Sequence, residues 1–272
     1  MTSLRAAALR CLATPDPIEK VRWSLEAAMD WCSGRLVDDR EKDAPICDSP
    51  GRPARLELVD PRRVPKRKLT TASGRAALVH AVAHIEFNAI NLAWDAVQRF
   101  AEMPRAYYDD WVRIAAEEAQ HFDMMQGRLA ALGHVYGDFP AHGGLWDMAV
   151  KTAGDPLVRM ALVPRVLEAR GLDVTPGMIS RLEQVDDRDT ANALRVIYRE
   201  EIGHVAAGTR WFQHLCEQRG LEPVEQFLSL LRQYLEVPPR GPFNEPARRE
   251  AGFSQRELDA LEDASCAQAQ PP

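Results

Sequence analysis

From residue 70 onward the apolar positions recur every three or four residues and are broken at glycine and proline, the pattern of long helices. Val79, Val82, Ala83, Glu86, Ile90, Ala93 and Val97 share one stripe of a helix predicted from an N-cap at Ser73 to about Met103. Pro104 breaks the chain and suits the first turn of a second helix, which Gly133 stops after about Leu132. Its stripe holds Trp111, Ile114, Ala115, Glu118, Phe122, Met125 and Leu129. A loop with His134, Gly137, Pro140, His142, Gly143 and Gly144 leads to a short helix expected over 146–153.

The third main helix is predicted to begin near Asp155-Pro156 and to pass Met160, Val163, Pro164, Leu167 and Glu168, with a kink at Pro164. Gly171 and Thr175-Pro176-Gly177 are expected to interrupt it before it resumes to about Val185. The fourth runs from Asp187 or Asp189 to Arg219, with Gly220 as its stop, and its stripe includes Leu194, Ile197, Glu201, His204, Val205, Gly208 and Phe212. A further helix is expected over 223–235, an irregular tail over 237–246 and a last helix over 254–263.

The N-terminal part reads differently. Residues 3–33 predict two short helices around Thr14-Pro15-Asp16-Pro17. Residues 34–69 hold Pro45, Pro50, Pro53, Pro61 and Pro65 and predict an extended arm. The arm carries Arg52, Arg55, Arg62, Arg63, Lys66, Arg67 and Lys68. A solvated arm draped over the domain is the plain expectation, and a contact for RNA or another anion is the sharper one. Strand signals are weak throughout. The expected fold is all-α, a four-helix bundle over 70–236 with N-terminal helices and arm over 1–69 and a C-terminal wrapping tail over 237–272.

Composition narrows the class. At 272 residues with 46% hydrophobic positions the chain can build a substantial core. A net charge of -6 counts against bulk electrostatic binding of nucleic acid. No uninterrupted apolar run approaches the roughly 20 residues that span a bilayer, and the N-terminus is read as structure, with no membrane partner expected. Cys11, Cys32, Cys47, Cys216 and Cys266 are odd in number, scattered and without a CxxC pair. They predict idle thiols in a reducing cytoplasm, with neither a disulfide framework nor a cysteine zinc site.

Chemistry concentrates in two Glu-x-x-His units, Glu118–His121 and Glu201–His204. Residues three apart on a helix lie on one face, roughly 5–6 Å from each other, so a carboxylate and an imidazole there can grip one metal ion. Each unit follows a lone Glu on the apolar stripe of the preceding main helix: Glu86 stands 32 residues before Glu118, and Glu168 stands 33 before Glu201. The chain thus reads as two helical hairpins, each supplying Glu and then Glu-x-x-His. Four buried carboxylates are costly if ionised and unpaired. Two divalent cations cancel them, and an oxygen-rich site with one imidazole per metal suits iron or manganese. This ligand set is the pattern of carboxylate-bridged dimetal bundles. The predicted metal ligands are Glu86, Glu118, His121, Glu168, Glu201 and His204.

The segments HAVAHIEFNAINLAWDA (80–96), AAEEAQHF (115–122), VLEARGLDVTP (166–176) and YREEIGHV (198–205) resemble a bacterial family of ferritin-like proteins of unknown function. The similarity extends into the arm and the tail RGPFNEPARREAGF (240–253). More distantly, the order of the six ligands is similar to that of the di-iron tRNA hydroxylase family, which acts on a methylthio-isopentenyl-adenosine base. The resemblance implies a ferritin-like bundle holding two iron ions, or manganese, through the same six positions. The function expected of such a site is a non-haem oxidoreductase that takes O₂ and electrons from an external donor to oxidise or hydroxylate a substrate, either a small molecule or, by the distant resemblance, a tRNA base. Iron binding or ferroxidase-type metal handling without an organic substrate is the alternative, and a homodimer is compatible with either.

Other residues are set beside this group. His80 and His84 form an HxxxH pair, but His84 is about 200° around the helix from Glu86. Tyr198 lies one turn before Glu201 and is a candidate neighbour of the metals, although a packed tyrosine is the plainer expectation. Asn91 and Asp95 are candidates to take the second N–H of a ligand His. Glu117 and Glu200 are expected to face solvent.

Overall fold

The computed structural model of the protein describes residues 2–38, 46–64 and 68–269. Among the described residues the regular structure is helical apart from a two-residue parallel pairing of Thr2–Ser3 with Leu36–Val37 and an isolated bridge between Leu58 and Ala141. The helices are α1 (Leu4–Ala13), α2 (Pro17–Cys32), α3 (Ala72–Arg99), α4 (Arg105–Ala131), α5 (Gly144–Lys151) and α6 (Pro156–Leu162). A π-helical turn at Val163–Glu168 leads into α7 (Ala169–Gln184), followed by α8 (Arg188–Gln218), α9 (Pro223–Tyr234), α10 (Glu245–Glu250) and α11 (Gln255–Ala269). The chain divides into two compact units, Met1–Val150 with Gln184–Ala193, and Lys151–Glu183 with Leu194–Pro272.

In the first unit α3 and α4 run antiparallel. Tyr108 donates to the Phe100 carbonyl at 2.8 Å near the connection, and Phe87 meets Phe122 with ring centroids 5.3 Å apart farther along. The cap of α3 is Thr71, whose hydroxyl accepts from the Gly74 amide at 3.0 Å, and not Ser73. The helix ends at Arg99, four residues short of the expected Met103. Pro104 caps α4 from just outside, and Gly133 ends it in the left-handed region at φ 78°. Trp94, Tyr107 and Phe122 are fully buried here, and each such side chain contributes about 1.5–3 kcal/mol. Only α3, among the described residues, is long and apolar enough to cross a membrane, and most of that apolar stretch is buried inside the protein.

Helices α1 and α2 pack beside this pair. The ammonium of Lys20, fully buried, donates to the Cys11 and Leu12 carbonyls at 2.7 and 2.9 Å and to Asn91 Oδ1 at 2.7 Å. It thus ties the end of α1 to α2 and α3. Burial lowers its pKa to about 7, against the pull of Cys11 and Cys47. Burial likewise pushes the Cys11 thiol up to about 12, and all five cysteines are free, as expected of idle thiols.

The described part of the arm drapes over this unit. The Gly51 amide donates to the Leu12 carbonyl at 2.8 Å, Leu56 is buried, and Val59 and Glu57 exchange backbone hydrogen bonds with Ala141 at 2.8 and 3.0 Å. Of the basic run, Arg55 pairs with Asp138, Arg52, Arg62, Arg63 and Lys68 are exposed, and Lys66 and Arg67 lie outside the described residues, as do Pro45 and Pro65.

In the second unit α6 and its π-helical turn run antiparallel to α8. Arg219 grips Asp155 through two bonds of 2.8 Å, and Arg165 Nε lies 3.2 Å from the Thr209 hydroxyl. Gly208 sits against the Pro164 ring so closely that any Cβ would overlap it. Pro164 was expected to kink the helix, and the structure meets its missing N–H with a π-helical turn. The expected interruption at 171–177 does not occur: α7 runs through Pro176. The Leu172 carbonyl, which Pro176 cannot serve, accepts instead from the side-chain amide of Asn244 at 3.0 Å. The same amide reaches the Tyr198 hydroxyl at 2.8 Å, and Arg248 holds Asp173 through bonds of 2.9 and 2.8 Å. The tail beginning at residue 240 is therefore a clamp on α7, and part of it, α10, is helical where the pattern predicted irregular chain up to Pro246.

Candidate metal centre

Glu86 on α3 and Glu118 and His121 on α4 are buried, at 3%, 1% and 0% exposure. The antiparallel register brings them together. His121 Nδ1 lies 3.3 Å from Glu86 Oε2 and 3.3 Å from Glu118 Oε2. Burial works against a charged imidazole here, but the hydrogen bonds and charges of Glu118 and Glu86 outweigh it and push the His121 pKa up to about 11.

Glu86, Glu118, His121 and Glu201 each offer one ligand atom, and these atoms all lie within 4.8 Å of one another. The donor set is three carboxylates and one imidazole. A single nitrogen facing two carboxylates can donate one straight hydrogen bond at most, so proton sharing alone satisfies the group poorly. Three clustered carboxylates exceed what one imidazolium cancels, whereas a divalent cation cancels two of the three charges and leaves the imidazole neutral to ligate. The residues fit a metal ion.

The other predicted ligands sit as follows. His204 is fully buried one turn beyond Glu201 on α8, with its Nδ1 3.5 Å from Glu201 Oε1. Glu168 ends the π-helical turn and is half-buried. The register of Asp155 with Arg219 and of Arg165 with Thr209 carries Glu168 to the level of the α8 turn that holds Glu201 and His204. Neither Glu168 nor His204 belongs to the group of four.

Several candidates have other duties. His80 accepts from the Gly137 amide at 2.9 Å and stacks on Tyr136. His84 bonds the Tyr136 hydroxyl at 2.8 Å and the His142 carbonyl at 3.1 Å, so both histidines grip the loop that follows α4, off the Glu86 face. Asn91 does not serve a ligand His as expected, because Lys20 takes its Oδ1, and Asp95 pairs with Arg99 at 2.8 Å. The buried Lys20 ammonium claims the Asn91 acceptor. Glu117 pairs with Arg113 at 2.6 Å on the helix surface. Tyr198 is held by Asn244. Sequence reasoning missed Asn244, Asp173 and Arg248, although a proline within a helix always leaves one carbonyl to be served from elsewhere.

Fold and site together define an all-helical protein with a buried Glu/His group able to hold a metal. The chain belongs to the family described as "Protein of unknown function (DUF455)", which matches residues 13–259. A protein of Haemophilus influenzae (strain ATCC 51907 / DSM 11121 / KW20 / Rd), described as an uncharacterized protein, is 49% identical over 214 residues, which is 76% of this chain and 74% of that one. No solved structure matches.

Proposed function

We propose that the protein is a non-haem dimetal carboxylate oxidoreductase with a ferritin-like arrangement of its ligand helices, in which iron or manganese serves O₂-dependent oxidation of an organic substrate. The observation that carries this reading is the buried convergence of Glu86, Glu118, His121 and Glu201. Glu168 and His204 complete a second set of donors, matching the first in residue type and order. The metal, when bound, supplies oxygen activation and electron transfer that no side chain can.

The chain's own residues do the rest. The carboxylates balance the cationic charge and fix its position. His121 ligates once its proton has left, and Glu86 and Glu118 are the groups that hold that proton beforehand. Phe87 and Phe122, next in sequence to Glu86 and His121, close ring to ring and exclude water beside them. Electrons come from an external donor.

Metal analysis of protein from iron-supplemented cells tests the reading, with about two metals per chain expected. Stoichiometric addition of Fe(II) under O₂ should then consume oxygen. A metal content near zero after reconstitution defeats the proposal. Modified-nucleoside profiles of a deletion strain separate a tRNA base from a small molecule as substrate.

A further inference from the structure

A second site lies in the first unit, under the arm. A cavity of ≈ 70 Å³ is lined by α3 through His84, Phe87, Asn88 and Asn91, by Trp146 and Asp147 of α5, and by the arm. It lies on the His84 side of α3, well around the helix from Glu86. Its walls include Phe87, Leu56 and the Trp146 ring, and its edge has one charge of each sign, Arg52 and Asp147, both exposed.

The floor is polar. Asn88 and Asn91 are 7% and 1% exposed and, three residues apart, share one face of the helix. Their neighbours fix how each amide is turned. The Lys20 ammonium can only donate, so Asn91 shows it Oδ1 at 2.7 Å and its NH₂ is directed away. The His84 carbonyl can only accept, so Asn88 gives it the NH₂ at 2.7 Å and its Oδ1 is directed away. Among the described residues, neither the Asn91 NH₂ nor the Asn88 Oδ1 has a hydrogen-bond partner. Both asparagines line the cavity, so a molecule entering it meets one uncommitted donor and one uncommitted acceptor on the same helix face.

We infer that this cavity binds a small molecule through a primary carboxamide or urea-type group. Such a group presents a carbonyl to the Asn91 NH₂ and an N–H to the Asn88 Oδ1 at once. A carboxylate offers no donor, and an alkyl group offers neither. The space, at about 30 Å³ for a water, suits an amide head group and little more. The rest of the ligand extends past Arg52 and Asp147. The neutral His84, which donates from Nε2 to the His142 carbonyl and accepts at Nδ1 from the Tyr136 hydroxyl, keeps the wall fixed.

The test is saturation-transfer NMR and titration of the full chain with acetamide, with acetate as the matched control, run on metal-free and metal-loaded protein. Acetamide should bind in both, at least about tenfold more tightly than acetate. Asn88→Leu should weaken acetamide by about tenfold or more, the loss expected when a site built for hydrogen bonding lacks its partner. Leu58→Trp, which fills the mouth from the exposed side of the arm, should abolish binding with the circular dichroism unchanged. No transfer from acetamide, equal binding of acetate, or binding that survives Leu58→Trp overturns the inference. Because none of the four Glu/His residues lines this cavity, binding to metal-free protein is read separately from the proposed oxidation.

Discussion

Asn244 donates its side-chain amide to the Leu172 carbonyl at 3.0 Å, replacing the N–H that Pro176 lacks one turn later. A residue of the tail thus completes the hydrogen bonding of a helix more than sixty residues upstream. Asn244→Ala should cost about 1–3 kcal/mol, since it strands a buried carbonyl. In a Pro176→Ala background the helix can make its own bond and the loss should shrink. Urea unfolding of the four proteins of this cycle measures it, and equal losses in both backgrounds count against the clamp.

Metal uptake should release protons. In the metal-free protein His121 stays protonated up to about pH 11, whereas a ligating imidazole is neutral. Affinity should therefore rise with pH between 6.5 and 11. The stability of the metal-free protein should move the other way. A raised pKa contributes most below 6.5, and that contribution fades as pH climbs through about 11. Calorimetry in buffers of different ionisation heat counts the protons released, and none released would exclude His121 as a ligand. Glu118→Ala or His204→Ala should abolish metal binding or oxygen consumption.

His84 makes the opposite acid-side prediction. Burial lowers its pKa to about 4, with the His142 carbonyl opposing and the charge of His142 assisting. Its depressed pKa means that the neutral form is native, so its contribution is full above 6.5 and is lost as pH falls toward 4. The loss should reach about 3 kcal/mol, read as a falling urea midpoint. His84→Gln should flatten that slope, and an unchanged slope would rule out this origin.

At Gly208 the backbone of α8 meets the Pro164 ring with no room for a side chain. Gly208→Ala should destabilise by about 1–3 kcal/mol through overpacking, visible in thermal unfolding. Because the π-helical turn that begins at Val163 ends at Glu168, the same variant should also bind metal more weakly. Wild-type melting and wild-type metal affinity in this variant would contradict the close approach.

The helices were legible because their apolar stripes and stops are local: Gly133, Asp155-Pro156 and Pro223 mark ends or beginnings that the structure keeps. Glu86, Glu118 and His121 were legible as a group because polar residues on an apolar stripe must face something polar inside. What the sequence hid was long-range. Pro176 looked like a break because its compensating donor sits at Asn244. Asn91 looked like a partner for a ligand His because nothing local shows that Lys20, 71 residues away, would claim it. Thr71 displaced Ser73 as the cap by only two positions, within the fraying expected at helix ends.

Lys20 has a use at the bench. Its amine is close to half deprotonated near neutrality, the reactive form toward acylating reagents, yet the protein leaves it no exposed surface. Labelling at this position can proceed only when α1, α2 and α3 come apart. The rate at which an amine reagent marks Lys20, followed by peptide mass, is therefore a clock for the opening of the N-terminal helices.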